Sequence, residues 1–424
     1  MLKMSTRPDR AVGLITEYNP FHNGHLHHLQ ESRRVSGAEV AVAVMSGHFL
    51  QRGEPALVDK WVRTEMALRA GVDVVVELPF PWACSSAPDF AQGAVRALDA
   101  LGRVDCLCFG SETGNLDALQ ACADLLCEHE QMVGEATEKL LRSGVSYPEA
   151  RGRLLAAESG LQLSAAALAQ PNNILGIEYL RALRLQQSTL KPFTVQRIGA
   201  GFHEVDVAEG EIASATGIRR GLAEGREIAS YLPQPASGPL FEALALGRGV
   251  DAEHHTRLLL GRIFHGAAAL RRVFLVADGI ESRLLSAADK AADYEDLVST
   301  VKARQFTRTR IQRMLAYILN DVHAEQVRTL MPAGPRYLHL LGASERGRVF
   351  LGACRRHLKL PLVSNFSRIY AILKRHYGEN SENYRLALIQ LDLELRTTRT
   401  FTLLMHRWNG GNRNRDFFET LKSP

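Results

Sequence analysis

Ala11-Val12-Gly13-Leu14-Ile15-Thr16-Glu17-Tyr18-Asn19-Pro20-Phe21-His22-Asn23-Gly24-His25-Leu26-His27-His28 is the stretch on which the fold turns. Its first half is a short apolar run, and from His25 the spacing becomes helical. A strand that passes through a polar loop straight into a helix opens a β–loop–α unit. Working outward, the alternation repeats. Ala11–Tyr18, Glu39–Ser46, Val72–Pro79 and Val104–Gly110 are short, Val-rich and bounded by Gly, Pro or Asp, as strands are. His25–Ser36, Lys60–Ala70 and Phe90–Leu101 carry the helical pattern between them. The strands are apolar nearly throughout, which suits strands covered on both faces. Repeated strand–helix–strand units predict an α/β fold with a doubly wound parallel sheet. Ligands in such sheets bind outside the carboxyl ends of the strands, so the loops after Tyr18, Ser46, Pro79 and Phe109 are expected to border one site.

Further along, Phe193–Ile198 is another strand candidate, followed by a Gly-rich loop and a helix starting near Ser214. Between Tyr231 and Pro239 the chain turns rich in Pro, Ser and Gly, the expected boundary between a first domain, 11–235, and a mainly helical second domain, 236–424. The first ten residues are polar and expected to fray. Of the 424 residues 46% are hydrophobic and 23% charged, values of a soluble globular protein that exclude a disordered tail or a collagen-like fibre. No run approaches the ~18 apolar residues of a membrane span, and Met1 to Arg10 lacks a secretory h-region, so the expectation is a cytoplasmic chain away from the membrane. Six cysteines include no Cys-x-x-Cys pair, which predicts reduced structural thiols and no dedicated metal-ligand cluster. The net charge of +5 says little by itself; its distribution matters more.

In the first loop His22 and His25 stand three apart across Gly24 at the start of a helix, where residues three apart share a face. Free N–H groups and the positive dipole end favour an anion there, and Gly24 lets backbone approach it closely. Two imidazoles donating to phosphate strengthen as charge builds up at phosphorus. A random chain of this composition yields His-x-Gly-His only about 0.04 times. The bland alternative is a pair of cap or surface histidines, and for His27 and His28 packing is the simpler role. Ser214, Thr216 and Arg219 form a second constellation, whose hydroxyls, first-turn N–H groups and guanidinium suit a phosphate; a plain Ser cap is the alternative. Gly110 ends the fourth strand, where it could lie flat under a base or ribose. Asn172 and Asn173 either read polar ligand edges or cap a helix. Lys60 and Arg63 either reach a polyphosphate or form a solvated face. Lys302, Arg304, Arg308, Arg310 and Arg313 crowd one stretch with Phe306 and Tyr317. Arg346, Arg348, Arg355, Arg356, Lys359, Arg368, Lys374 and Arg375 follow with no acidic residue between Arg346 and Arg375. Such runs suit RNA backbone and base stacking, and otherwise are solvated faces.

The extended loop from Gly13 to Leu26 resembles the opening of the tRNA(Met) cytidine acetate ligases, of the His-x-Gly-His nucleotidyltransferase superfamily. The resemblance runs through Gln51-Arg52-Gly53-Glu54-Pro55-Ala56, Asp59-Lys60-Trp61, Gly71-Val72-Asp73 to Glu77-Leu78-Pro79, and Phe109-Gly110-Ser111-Glu112. It goes on through Pro171-Asn172-Asn173-Ile174-Leu175-Gly176-Ile177, Ser214 to Arg219, Phe306 to Ile311 and a Leu340-Leu341-Gly342 turn. His48 stands where members often carry Asn. The resemblance implies a Rossmann-like sheet of nucleotidyltransferase type. It implies a ligase that makes acetyl-adenylate from acetate and ATP and acetylates the wobble cytidine of elongator tRNA(Met) to N(4)-acetylcytidine. It places ATP along Ile15 to His28 with Gly110, Asn172 and Arg197, and gives His22 and His25 the catalytic role. In that reading Ser214, Thr216 and Arg219 cradle pyrophosphate, Mg2+ accompanies ATP, and Lys302, Arg304, Arg308 and Arg310 hold tRNA. No protein partner is predicted. The alternatives are adenylyl transfer to a phosphorylated small metabolite, which needs no long basic helical stretch, and a non-catalytic RNA-binding protein.

Overall fold

The computed structural model describes residues 10–143, 145–158, 164–198, 213–277, 279–303 and 306–424. Seven strands form one sheet in the order β5-β4-β1-β2-β3-β6-β7: β1 Ala11–Thr16, β2 Val40–Ser46, β3 Val74–Leu78, β4 Cys106–Ser111, β5 Lys191–Gln196, β6 Leu338–Ala343 and β7 Leu362–Val363. β1 to β5 pair in parallel, with Val12 opposite Ala41 on one side and Cys106 on the other. After β3 the chain crosses to the far side of β1, so the strand order reverses between β1 and β4. The crevice at that reversal is where a doubly wound sheet receives its ligand.

Each of β1 to β5 lies within two or three residues of its expected span. The helices α1, Asn23–Ser36, and α2, Lys60–Arg69, fill the first two crossovers, and Ala87–Ala100 fills the third. β2 and β3 are buried at every position, which is why they carry continuous apolar runs, 40–45 and 74–76, rather than alternating ones.

The stretch from 236 to 424 is mainly helical, and it also supplies β6 and β7. Leu340-Leu341-Gly342, read from sequence as a turn, lies inside β6, which runs antiparallel to β3. Gly342 is there because a Cβ would come within 2.7–2.8 Å of Leu68 and Thr64 of α2. The Pro/Ser/Gly-rich segment is not a loop. Gln234–Ala245 is helical, with Pro235 in the first turn, where a missing N–H costs nothing, and Ala236, Pro239, Leu240 and Ala243 buried. The expected division at 235/236 falls in that first turn. One apolar core runs from Val42, Val44 and Val76 of the sheet to Leu315, Tyr317 and Phe401 of the later helices. No helix is long and apolar enough to cross a membrane among the described residues.

Candidate active site

The loop after β1 is fixed by a set of unusual local choices. Tyr18 takes a positive φ of 49°, and Asn19-Pro20 is cis. A non-glycine residue in the left-handed region persists only where its surroundings hold it there. Here Tyr18 is buried against Phe21 at 4.7 Å and His25 at 5.0 Å between ring centroids. Arg63, fully buried on α2, donates to the carbonyls of Glu17 (2.7 Å), Ser46 (3.0 Å), Val58 (3.2 Å) and Gly47. One guanidinium thus ties the ends of β1 and β2 together. Leu57 N–H donates to Asn19 Oδ1 at 2.7 Å, and Gln51 N–H donates to Glu17 Oε1 at 2.7 Å. Burial pushes the Glu17 carboxyl up.

His22 is the N-cap of α1. Its Nδ1 accepts from Gly24 N–H at 3.1 Å, while His25 Nδ1 accepts from His22 N–H at 3.3 Å. The two rings lie 3.8 Å apart. These bonds decide the tautomer: a nitrogen that accepts has no proton, so each neutral ring carries its hydrogen on Nε2. The environment keeps the rings neutral. Burial, then the charges of Arg197 and Arg219, pull His22 down to about 3. Burial, His22, Arg197 and His28 hold His25 well below the usual range. Burial and Arg197 bring His28 to about 4. The bland cap role and the functional one are therefore one arrangement, in which capping through Nδ1 leaves Nε2–H as the donor of each ring.

Gly110 sits in the same crevice. A Cβ there would lie 3.3 Å from Cγ of Arg197 and 3.9 Å from the ring of His28. Glu112, one residue past β4, takes the N-terminus of the Pro171–Leu185 helix, accepting from Asn172 N–H (3.1 Å), Asn172 Nδ2 (2.7 Å) and Asn173 N–H (2.7 Å). Asn173 is buried, and its Oδ1 accepts from the Glu112 and Thr113 N–H groups, so it is structural. Asn172 is half-exposed in the first turn of the helix.

Ser214 caps the Ala215–Ala223 helix by accepting from Gly217 N–H at 3.1 Å. Arg219 of that helix reaches the first loop, donating to Asn19 O at 2.9 Å and pairing with Glu54 at 3.4 Å. Buried Asn19 Nδ2 has no hydrogen-bond partner among the described residues. The second constellation and the histidine loop are thus joined, and Thr216 is exposed at their rim.

Three groups are placed elsewhere. Lys60 and Arg63 are neither phosphate ligands nor a solvated face: both are fully buried, and Lys60 lies between Glu77 (2.7 Å) and Asp416 (2.6 Å). His48 is buried and stacked on Phe401 at 4.6 Å. Arg313 turns inward to Ser85 O at 2.9 Å. Of the expected RNA-binding set, Lys302 is exposed and Arg310 lies over Phe306 at 4.9 Å. Arg308 is paired with Glu295 at 2.5 Å, and Arg304 lies outside the described residues. This segment borders the site loops, because Gly53 (φ +88°) is pressed against the backbone of Gln312 and Arg313. Sequence reasoning missed Arg63 as the tie between strands.

The model of the HIGH nucleotidyl transferase family matches residues 9–416. The tRNA(Met) cytidine acetate ligase of Syntrophotalea carbinolica is 60% identical over 410 residues, 97% of this chain and 98% of that protein. The chain belongs to the tRNA(Met) cytidine acetate ligase family. The ligase of Bacillus subtilis is 37% identical over 84% of this chain and 88% of its own. The structure of Thermotoga maritima TmcAL bound with alpha-thio ATP superposes with a TM-score of 0.86 at 34% identity, covering 96% of this chain and 98% of that one. Two of these relatives match 96–97% of the chain, so the likeness spans both the sheet and the later helices.

Proposed function

We propose that this chain is an ATP-dependent tRNA(Met) cytidine acetate ligase whose adenylation step is carried by the Nε2–H groups of His22 and His25. Acetate attacks the α-phosphorus of ATP, forming acetyl-adenylate and expelling pyrophosphate. The exocyclic N4 of the wobble cytidine then attacks the acetyl carbon, loses a proton and releases AMP. The observation that carries the reading is the pair of backbone-capped neutral imidazoles at the sheet's reversal point. Donors fixed before the reaction stabilise charge on the phosphate oxygens without reorganising. Neutral rings donate from Nε2 over a wide pH range, with no proton to gain or lose.

Around them, Gly110 leaves room for the nucleoside, and Asn172 Oδ1 and Arg197 stand at its rim. Ser214, Thr216 and Arg219 suit the leaving pyrophosphate. Lys302, Arg308 and Arg310, with Arg304, are assigned to tRNA, mainly through phosphates. Mg2+ belongs to this proposal as the companion of the ATP phosphates, which supply most of its ligands in such enzymes. The buried triad Glu77, His339 and Asp416 has ligand atoms within 4.8 Å of one another but is filled by the Lys60 ammonium, so it does not fit a metal.

Transfer of radiolabelled acetate to bulk tRNA, with and without ATP, tests the reading. ATP-dependent label recovered as N(4)-acetylcytidine is the expected result. A folded chain that binds ATP yet leaves the RNA unlabelled overturns it.

A further inference from the structure

The segment 346–375 carries eight Lys and Arg and no Asp or Glu, against +5 for the whole chain, so the remaining residues sum to −3. It begins on the Glu345–Cys354 helix, whose buried face is Gly347, Phe350 and Cys354. That helix is seated at the amino ends of the strands. Ser344 donates through N–H and Oγ to Asp73, at 2.8 Å each, and Arg346 donates to Glu39 O at 2.8 Å. Asp73 and Glu39 immediately precede β3 and β2. Lys359 N–H bonds Ala100 O, where the Ala87–Ala100 helix has returned to the same end. The histidine loop and the Arg308–Leu319 helix border the carboxyl ends instead. The chain thus presents cations at both ends of its sheet.

The two groups differ in what they leave unneutralised. Near the site Arg308 is spent on Glu295. At the far end Arg348, Arg355, Arg356 and Lys359 are all exposed, and none forms a salt bridge with a carboxylate among the described residues. Arg348 and Arg355 are two helical turns apart and share a side. Gly352 lies between them, with nothing within 4 Å of where its Cβ would stand, so the strip is open to a close approach. Like charges held together without counter-charges repel one another in the free protein and gain most when a polyanion displaces its counterions.

We propose that this face holds the sugar–phosphate backbone of the tRNA away from the reacting cytidine, so that the enzyme grips one RNA at both ends of its sheet. The proposal rests on the ligase reading. A folded RNA is long enough to span both ends, whereas an isolated anticodon stem–loop held at the site reaches only one. The face binds by shape and phosphate charge, without reading bases.

The test uses the full chain with Arg348, Arg355, Arg356 and Lys359 all changed to Glu. Binding to whole tRNA(Met) and to its anticodon stem–loop is measured across a salt series. Affinity for whole tRNA should fall about tenfold or more. The slope of log affinity against log salt should flatten by about 0.7–0.9 for each phosphate that the variant no longer neutralises. Stem–loop affinity and acetate-dependent ATP–pyrophosphate exchange should not change. The same four positions changed to Gln should give the same pattern at smaller size, which covers a Glu variant that fails to fold. Unchanged binding of whole tRNA, or equal weakening on both RNAs, overturns the proposal. If the parent chain binds tRNA but transfers no acetate, the ligase reading fails instead, and the binding comparison still decides the face.

Discussion

Two clusters in this molecule are built from the same chemical types and behave in opposite ways. At the mouth of the crevice, His22 and His25 sit among Arg197 and Arg219, and no hydrogen bond to a described residue engages their Nε2–H groups. Inside the core, His339 Nδ1 meets Glu77 at 2.9 Å, Glu77 meets Lys60 at 2.7 Å, and Lys60 meets Asp416 at 2.6 Å. The core cluster holds one ammonium between two carboxylates. Lys60 is pushed up by Asp416 and Glu77 against the cost of burial, and Glu77 is held down at about 2 by Lys60 and His339. Glu394, buried beside Glu77, is raised well above the carboxylate range. The lesson is that where a buried cation already stands between the carboxylates the cluster is a joint, and where neutral rings keep a donor it can serve a ligand. The triad looks like a metal centre by composition and is a structural joint occupied by the Lys60 ammonium. It fastens the Arg415–Phe418 helix to α2, where Arg415 also meets Asp59 at 2.5 Å.

The sharpest way to break that contrast is Lys60→Met. Glu77 and Asp416 would be left buried without their cation, so the unfolding midpoint in urea should show a loss of about 3–5 kcal/mol. Adding Glu77→Gln and Asp416→Asn should recover part of it. Stoichiometric zinc binding by the native chain, lost with His339→Ala, would instead make the triad a metal centre. Next in size is the site itself. His22→Asn keeps a capping acceptor and removes the imidazole donor. Acetate-dependent ATP–pyrophosphate exchange should fall about 10²–10³-fold, with little change in the melting temperature; a loss of melting temperature matching the loss of rate would make His22 a cap and nothing more.

The pH dependence comes third. The folded pKa of His22, about 3, lies below that of a free histidine, so the unfolded chain binds more protons between the two values. Stability from this group is therefore full above pH ~6.5 and is lost as pH falls toward 3, by up to about 1.4 kcal/mol per pH unit. The His22→Asn variant should show a flatter fall between pH 6 and 4, and identical slopes would contradict a neutral, buried ring. The smallest effect is expected from Arg308→Glu with Arg310→Glu. Since Arg308 already pairs with Glu295, tRNA binding should weaken only several-fold and the salt slope should flatten slightly.

Much of this was legible in the chain. Unbroken apolar runs and helical spacing located β1 to β5 within a few residues, and His22, Gly24 and His25 pointed to the reversal point of the sheet. β6 was hidden because Leu340-Leu341-Gly342 is short, ends on a glycine, and becomes a strand only by pairing with β3 more than 250 positions earlier. The Pro-rich segment is helical although its composition reads as a break, since Pro235 stands in the first turn, where a missing N–H costs nothing. Lys60 and Arg63 were ambiguous because a cation on a helix is solvated by default, and no local rule reveals a carboxylate 356 positions away.

The sequence by itself therefore determined the local units and the phosphate-binding loop, since periodicity, turn chemistry and helix-start donors act over a few residues. Only the tertiary structure decided which charges are spent and which are free. Pairing Lys60 with Asp416, capping Asn172 with Glu112, and leaving Arg348 and Arg355 open all depend on what the fold brings near. Electrostatic energies are set by distance and burial, and neither is written in the order of residues.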